Sequence, residues 1–340
     1  MLYITLSNGN NMFKLIFSLV FVTILSGCVT APKPLVIAHR GASGYLPEHT
    51  LEAATLAFAQ GADFIEQDLV LSKDGIPVVL HDIHLDTVTD VKTKYPTRQR
   101  NDGRFYAIDF TLAELKTLRV HERKTLKGKQ VYPNRYQGSS HFTIATFEEQ
   151  IELIQQLNRQ FNKNVGFYPE IKSPAWHQTQ GADISNIVFN LLRKHQLDDE
   201  NKAIYVQCFD FSELKRIRHE LKANVKLIQL IGENSWKEST TDYDHLKTAQ
   251  GLTEIATIAQ GIGPWLPQLI DLNTMQPTSL MPSAHQAGLN VHPYTFRVDA
   301  LPNNLTKTQA LDALFQQLKV DGVFSDFPDV VVRYNNHAFK

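Results

Sequence analysis

HRGASGYLPEHT (residues 39–50), FIEQDLVLSKDG (64–75) and PVVLHD (77–82) decide how this chain is read. LVIA (35–38) leads straight into His39 and Arg40, so an imidazole and a guanidinium sit where a buried strand would emerge. In the second run Glu66 and Asp68 stand two residues apart, which on a strand turns both carboxylates to one face. Like charges on one face of an apolar strand are costly unless a cation or strong donors neutralise them, and a hard divalent metal would do so. The third run is another apolar stretch, closing in His81 and Asp82. Taken singly, each has an ordinary reading: a core histidine, the wet face of a strand, the opening of a turn. Together, at the ends of successive apolar runs, they read as a site.

Outward from that stretch the chain alternates short apolar runs with helical periodicity. Strands are expected near 35–38, 64–71, 77–80, 165–171, 203–208, 225–230, 257–262, 289–295 and 321–324. Helices are expected near 49–60, 146–158, 183–195, 211–221, 279–288 and 308–318, with Thr146 and Glu149 offering a capping box. Such alternation argues a parallel sheet, and about eight units in about 300 residues fit a TIM (β/α)₈ barrel, whose sites lie at the C-terminal ends of its strands. The polar, turn-rich segment 83–142 breaks the pattern and is expected to be a small inserted subdomain over the barrel mouth. Its basic run, His121 to Lys129, could favour anionic head groups but reads as a solvated face.

Composition narrows the field. With 340 residues, 43% hydrophobic, 20% charged and a net charge of −1, the chain is long enough for a large core and has no field for nucleic acid. Its N-terminus reads as a targeting segment: Lys14 precedes an apolar run from Leu15 to Leu25, too short for a comfortable span. Either Met1 or Met12 serves as the start. Leu25-Ser26-Gly27-Cys28 resembles the lipobox of bacterial lipoproteins, which implies a signal peptide over 1–28, lipidation of Cys28, a tether over 29–34 and a folded domain over 35–335. Val29 after the cysteine points to an outer-membrane anchor facing the periplasm, with soluble periplasmic or surface-exposed protein as the alternatives. Cys208, in VQCF, is then the remaining cysteine and reads as a buried, inert thiol.

Later strand ends add to the site. In YPEIK, Glu170 and Lys172 share one strand face, a third carboxylate beside a cation suited to a phosphate oxygen. Gln207 offers an amide to a bound hydroxyl or water, Tyr294 a ring to pack on substrate, and Arg297 positive charge, with His292 beside them. Asp326, after GVFS, reads as an ordinary helix-starting carboxylate.

On AHRGASGYLPEHT, GADFIEQDLVLSKDG, PVVLHD, YPEIKSP, VQCFD, VHPYTFR and FSDFPD, the chain resembles the glycerophosphodiester phosphodiesterases, most of all their bacterial periplasmic branch. The resemblance implies Glu66, Asp68 and Glu170 as metal carboxylates, His39 and His81 as the acid/base pair, Arg40 and Lys172 as phosphate contacts, and Glu48 in support. His49 stands where the wider family has Asn, and the lipobox departs from a mostly soluble branch. All-oxygen ligands favour Ca²⁺ or Mg²⁺, and the branch implies Ca²⁺, with Mg²⁺ second. The expected reaction is metal-dependent hydrolysis of glycerophosphocholine, glycerophosphoethanolamine, glycerophosphoglycerol and similar diesters to glycerol 3-phosphate and an alcohol. Two competing readings are phospholipase D-like cleavage of lyso- or intact phospholipids, and a surface-anchored binding protein without turnover. The expected partners are these small molecules and, through the lipid alone, a membrane; a homodimer stays open.

Overall fold

The structure, a computed structural model, describes residues 33–339 apart from 272, 273, 275, 303 and 304. The expected signal peptide, Cys28 and residues 29–32 of the tether lie outside the described residues.

Eight parallel strands form the barrel: β1 Leu35–Ala38, β2 Phe64–Leu71, β4 Gly166–Ile171, β5 Tyr205–Cys208, β6 Lys226–Ile231, β7 Gly261–Pro264, β10 Asn290–Val291 and β11 Gly322–Ser325. They run in the order β10-β7-β6-β5-β4-β2-β1-β11. Backbone bonds from Asp321 N to Val291 O (3.1 Å) and from Phe324 N to Pro293 O (3.0 Å) close the ring. Two strands lie outside it as a short ribbon, β8 Ile270–Asp271 and β9 Gln276–Pro277.

The period-2 alternation of these strands places the site. On the outer face Val36, Ile65, Leu69, Phe167, Val206 and Leu227 pack with the helices in one large core. On the inner face Ile37, Phe64, Tyr168, Tyr205, Ile228 and Phe324 fill the barrel floor. Two residues further along the same strands, the same inner face carries His39, Glu66, Glu170, Gln207 and Asp326. The polar layer therefore rests on an apolar one, as barrel layering requires.

Three strand expectations are corrected. Residues 77–80 are not a barrel strand: β3 (Pro77–Val79) pairs antiparallel with the end of β2, Leu69 facing Val79. The SKDG turn between them is too short for the crossover a parallel pair needs. Residues 257–260 end a helix (Ala249–Ala256, capped at Thr257), and the strand starts only at Gly261. In the 289–295 run only Asn290 and Val291 are strand, since Pro293 has no N–H to continue a ladder. The helix near 308–318 forms as Lys307–Asp312 followed by a π turn, Ala313–Gln317. The capping box of Thr146 and Glu149 starts the helix Phe147–Phe161.

Residues 83–142 hold only short helices and bridges around their own apolar cluster, which includes Leu85, Val88, Phe105, Phe110, Leu115 and Val120. Among the described residues no helix is long and apolar enough to cross a membrane.

Candidate active site

His39, Arg40, Glu66, Asp68, His81, Glu170, Gln207, Tyr294 and Arg297 line one cavity of about 190 Å³ at the C-terminal ends of the strands. Local folding explains how each arrives. After β1 the chain turns sharply: Arg40 and Gly41 take positive φ (59° and 80°), and Arg40 N donates to Glu66 Oε2 at 2.6 Å. Gly41 is required there, because a Cβ would lie 2.7 Å from the backbone of Ala53. β2 overshoots the mouth, and β3 doubles back so that Leu80 N donates to Asp68 O (2.9 Å). His81 thus returns to the level of the carboxylates, by a hairpin rather than as a strand end of the barrel.

Each histidine is held by a carboxylate. His39 Nδ1 lies 2.6 Å from Asp326 Oδ1 and His81 Nδ1 lies 2.6 Å from Asp82 Oδ1. A carboxylate accepts, so Nδ1 donates in both rings and Nε2 is the free atom. Burial, with Arg40 adding to it, brings His39 down to about 3 despite Asp326. Burial, Arg40 and Lys172 bring His81 down to about 4. Both rings are therefore neutral bases at pH 7.

The braces come from the inserted segment. Arg123 bridges Glu48 (Nη2 to Oε1, 2.6 Å) and Asp82 (Nη1 to Oδ2, 2.6 Å). Arg135 bonds Asp326 (Nη2 to Oδ2, 2.6 Å) and clasps Asp299 through Nε and Nη2 at 2.8 and 3.0 Å. Arg123 is thus no solvated face, being bound on both sides. Asp326 is no helix cap either: the helix Pro328–Ala338 has Phe327 at its N-cap position without a side-chain bond. Arg297 also spends its charge on Asp326, at 2.9 Å. Glu48 lies between Arg40 (3.1 Å) and Arg123. His292 lies apart, buried in the barrel floor with its Nδ1 2.8 Å from Tyr168 Oη, and like Glu48 and Lys172 it is not among the residues that line the cavity.

Glu66, Asp68 and Glu170 gather as the i, i+2 spacing requires, Asp68 facing Glu170 across β2 and β4. Burial and the Asp68 charge push Glu66 well above the carboxylate range. Burial, only partly offset by Lys172 at 2.8 Å, raises Glu170 to about 8, with Asp68 adding to it. Burial opposes the Asp68 charge as well, but His81, His49 and Lys172 hold its carboxyl well below the usual range. Three buried carboxylates cannot all ionise unaided, and a divalent cation would let them. His49, a residue that sequence reasoning left without a role, joins them: Nε2 lies 2.8 Å from Asp68 Oδ2, and ligand atoms of His49, Glu66 and Asp68 all fall within 4.8 Å. Its bond to Asp68 marks His49 as the group orienting that carboxylate. Gln207 Oε1 is buried without a partner, an acceptor open to a hydroxyl or water. Tyr294 Oη donates to Ile231 O (2.9 Å), which leaves only its ring for the cavity.

Comparison with known proteins agrees with this geometry. Residues 39–330 match the Glycerophosphoryl diester phosphodiesterase family. A glycerophosphodiester phosphodiesterase of Haemophilus influenzae is 43% identical over 354 residues, covering 94% of this chain and 97% of that one. One from Treponema pallidum is 37% identical, covering 93% and 95%. An Oleispira antarctica phosphodiesterase, solved in complex with the product sn-glycerol-3-phosphate, shares the fold with a TM-score of 0.59 at 23% identity, over 89% and 97% of the two chains. A family match that starts at the first catalytic-type histidine and runs almost to the end of the barrel makes the conclusion plain: the chain belongs to the glycerophosphoryl diester phosphodiesterase family.

Proposed function

We propose that the chain hydrolyses glycerophosphodiesters to glycerol 3-phosphate and a free alcohol, with Glu66, Asp68 and Glu170 holding a divalent cation. The observation that carries this reading is the pairing of two carboxylate-braced histidines with a buried cluster of three carboxylates in one cavity. Oxygen donors suit Ca²⁺ or Mg²⁺, and the resemblance to the periplasmic branch favours Ca²⁺ over Mg²⁺. When bound, such a cation offsets charge developing on the phosphoryl oxygens. Arg40 and Lys172 add fixed positive charge beside it; Lys172 is paired with Glu170 at 2.8 Å and would turn to a phosphate oxygen if Glu170 served a cation instead. One histidine accepts a proton at Nε2 from the nucleophile, water or the glycerol 2-hydroxyl, while the other donates to the leaving alcohol, each transfer worth about 10²–10⁴-fold. Burial keeps both rings neutral; an anionic phosphodiester between them raises their pKa and leaves one protonated.

A second reading has one observation in its favour. A mostly apolar cavity of about 150 Å³, lined by Leu266, Ile270, Phe296, Leu301 and Leu314, shares Trp265 and Arg297 with the site and could take an acyl chain. Product analysis on glycerophosphocholine, lysophosphatidylcholine and phosphatidylcholine separates the two: glycerol 3-phosphate from the first supports hydrolysis of deacylated diesters, and turnover of the lipids alone supports phospholipase D-like chemistry. Binding of all three without products would support the non-catalytic reading.

The reading of the leader as an export signal places this activity in the periplasm, with Cys28 carrying an outer-membrane lipid. Palmitate labelling of the whole chain, lost in Cys28→Ala, tests that placement.

A further inference from the structure

The barrel mouth is divided by chemistry. The ends of β11, β1, β2 and β4 present Asp326, His39, Glu66, Asp68 and Glu170, whereas the chain after β5, β6, β7 and β10 presents rings: Phe209, Trp236, Trp265 and Tyr294. All four rings line the same cavity as the histidines. Trp236 and Trp265 are large apolar side chains left 39% and 38% exposed. Their centroids are 5.2 Å apart with planes at 70°, so the two indoles form an open corner. Phe209 and Tyr294 form a second edge-to-face pair at 6.0 Å.

A flat sugar or polyol stacks on one face; a corner of two faces encloses a rounded group. The local charge selects which rounded group. Glu238 acts on both Tyr294 and Lys172, whereas Glu233 is paired with Lys247 at 3.1 Å, so Glu238 is the carboxylate that adds negative charge beside the rings. These rings already receive one cation, with Lys172 Nζ 5.5 Å from the Phe209 centroid. Indole faces attract cations most strongly of the aromatic side chains, and quaternary ammonium groups fit such cages because they keep no hydrogen bond to water.

We propose that the Trp236–Trp265 corner is the leaving-group subsite for a quaternary ammonium, and that the chain prefers choline diesters of glycerol phosphate over those of neutral alcohols. This rests on the hydrolytic reading and deepens it by giving the charged half of the mouth to the glycerophosphate and the aromatic half to the head group.

The test compares kcat/KM for glycerophosphocholine with that for the 3,3-dimethylbutyl diester, which has the shape of choline without its charge. The wild-type chain is expected to favour the choline diester about tenfold, which is about 1.4 kcal/mol. In Trp236→Leu and Trp265→Leu that ratio falls towards one, and Trp→Phe at either position restores part of it. Calorimetric titration with tetramethylammonium reads the corner without turnover: saturable binding in the wild type, lost in Trp236→Leu, supports the subsite. A wild-type ratio of one, a ratio that neither Leu substitution changes, or no saturable tetramethylammonium binding overturns it. Failure of the hydrolytic reading looks different: neither diester is cleaved, while tetramethylammonium still binds at the corner.

Discussion

Arg135 places Nη2 2.6 Å from Asp326 Oδ2, while the other oxygen of Asp326 takes the Nδ1 proton of His39 at 2.6 Å. A residue of the inserted segment thereby fixes the tautomer of a histidine on the first barrel strand. Asp326→Asn should lower kcat/KM by about 10²-fold or more, because an amide can present its N–H and reverse the ring. Arg135→Ala should cost less, and Arg135→Lys should recover part of the loss. Both should move the acid limb of the kcat/KM profile, which a merely structural brace would leave in place. Normal rates in Asp326→Asn would remove this contact from the mechanism.

Glu66 carries two opposed predictions. In the cation-free protein its carboxyl is raised by burial and by Asp68, so Glu66→Gln should raise the Tm measured in EDTA while keeping an acceptor for Arg40 N. The same change should shrink the Tm gain on adding Ca²⁺, since bound ligand stabilises by its affinity. A variant that gains as much from Ca²⁺ as the wild type does would exclude Glu66 as a ligand.

His292 sets a pH dependence apart from the active site. Burial lowers it to about 4 from the ordinary 6.5, against the pull of Asp321. The unfolded chain then binds the extra proton between those values, so the contribution to stability is present above pH 6.5 and is lost as pH falls towards 4. Across that window the stability of wild type, read from urea melts, should fall by up to about 3 kcal/mol more than that of His292→Gln. Parallel pH curves would contradict a neutral buried ring.

Gly41→Ala tests the turn that delivers Arg40. The added methyl would press on the Ala53 backbone at a φ of 80°. Both effects are destabilising, together by more than about 1 kcal/mol, and a shifted Arg40 should also raise KM. Unchanged denaturant midpoint and KM would show that the turn relaxes freely.

Much of the barrel was legible because its strands are buried on both faces and read as apolar runs with polar residues two positions on. The i, i+2 rule brought Glu66 with Asp68 and Glu170 with Lys172. What it missed lies in contacts distant along the chain. Asp326 reads as a helix cap because Phe327-Pro328 follows it, and only the closed barrel reveals His39 beside it. Arg123 and Arg135 sit in a polar insertion whose composition resembles any solvated loop; their partners are 41 and 191 residues away. The antiparallel return of β3 had a signal, the four-residue SKDG turn, which the rhythm of strands and helices obscured. His49 took a place beside Asp68 that its neighbours PEHT only hinted at.

The most direct test of the central claim is release of glycerol 3-phosphate from glycerophosphocholine by wild type, His39→Ala and His81→Ala, in EDTA and after Ca²⁺ or Mg²⁺ is restored. The account predicts turnover in the wild type that chelation abolishes and one cation restores, with both variants still binding that cation yet losing most of the rate. Full turnover in EDTA, or a near-normal rate in either histidine variant, would contradict it.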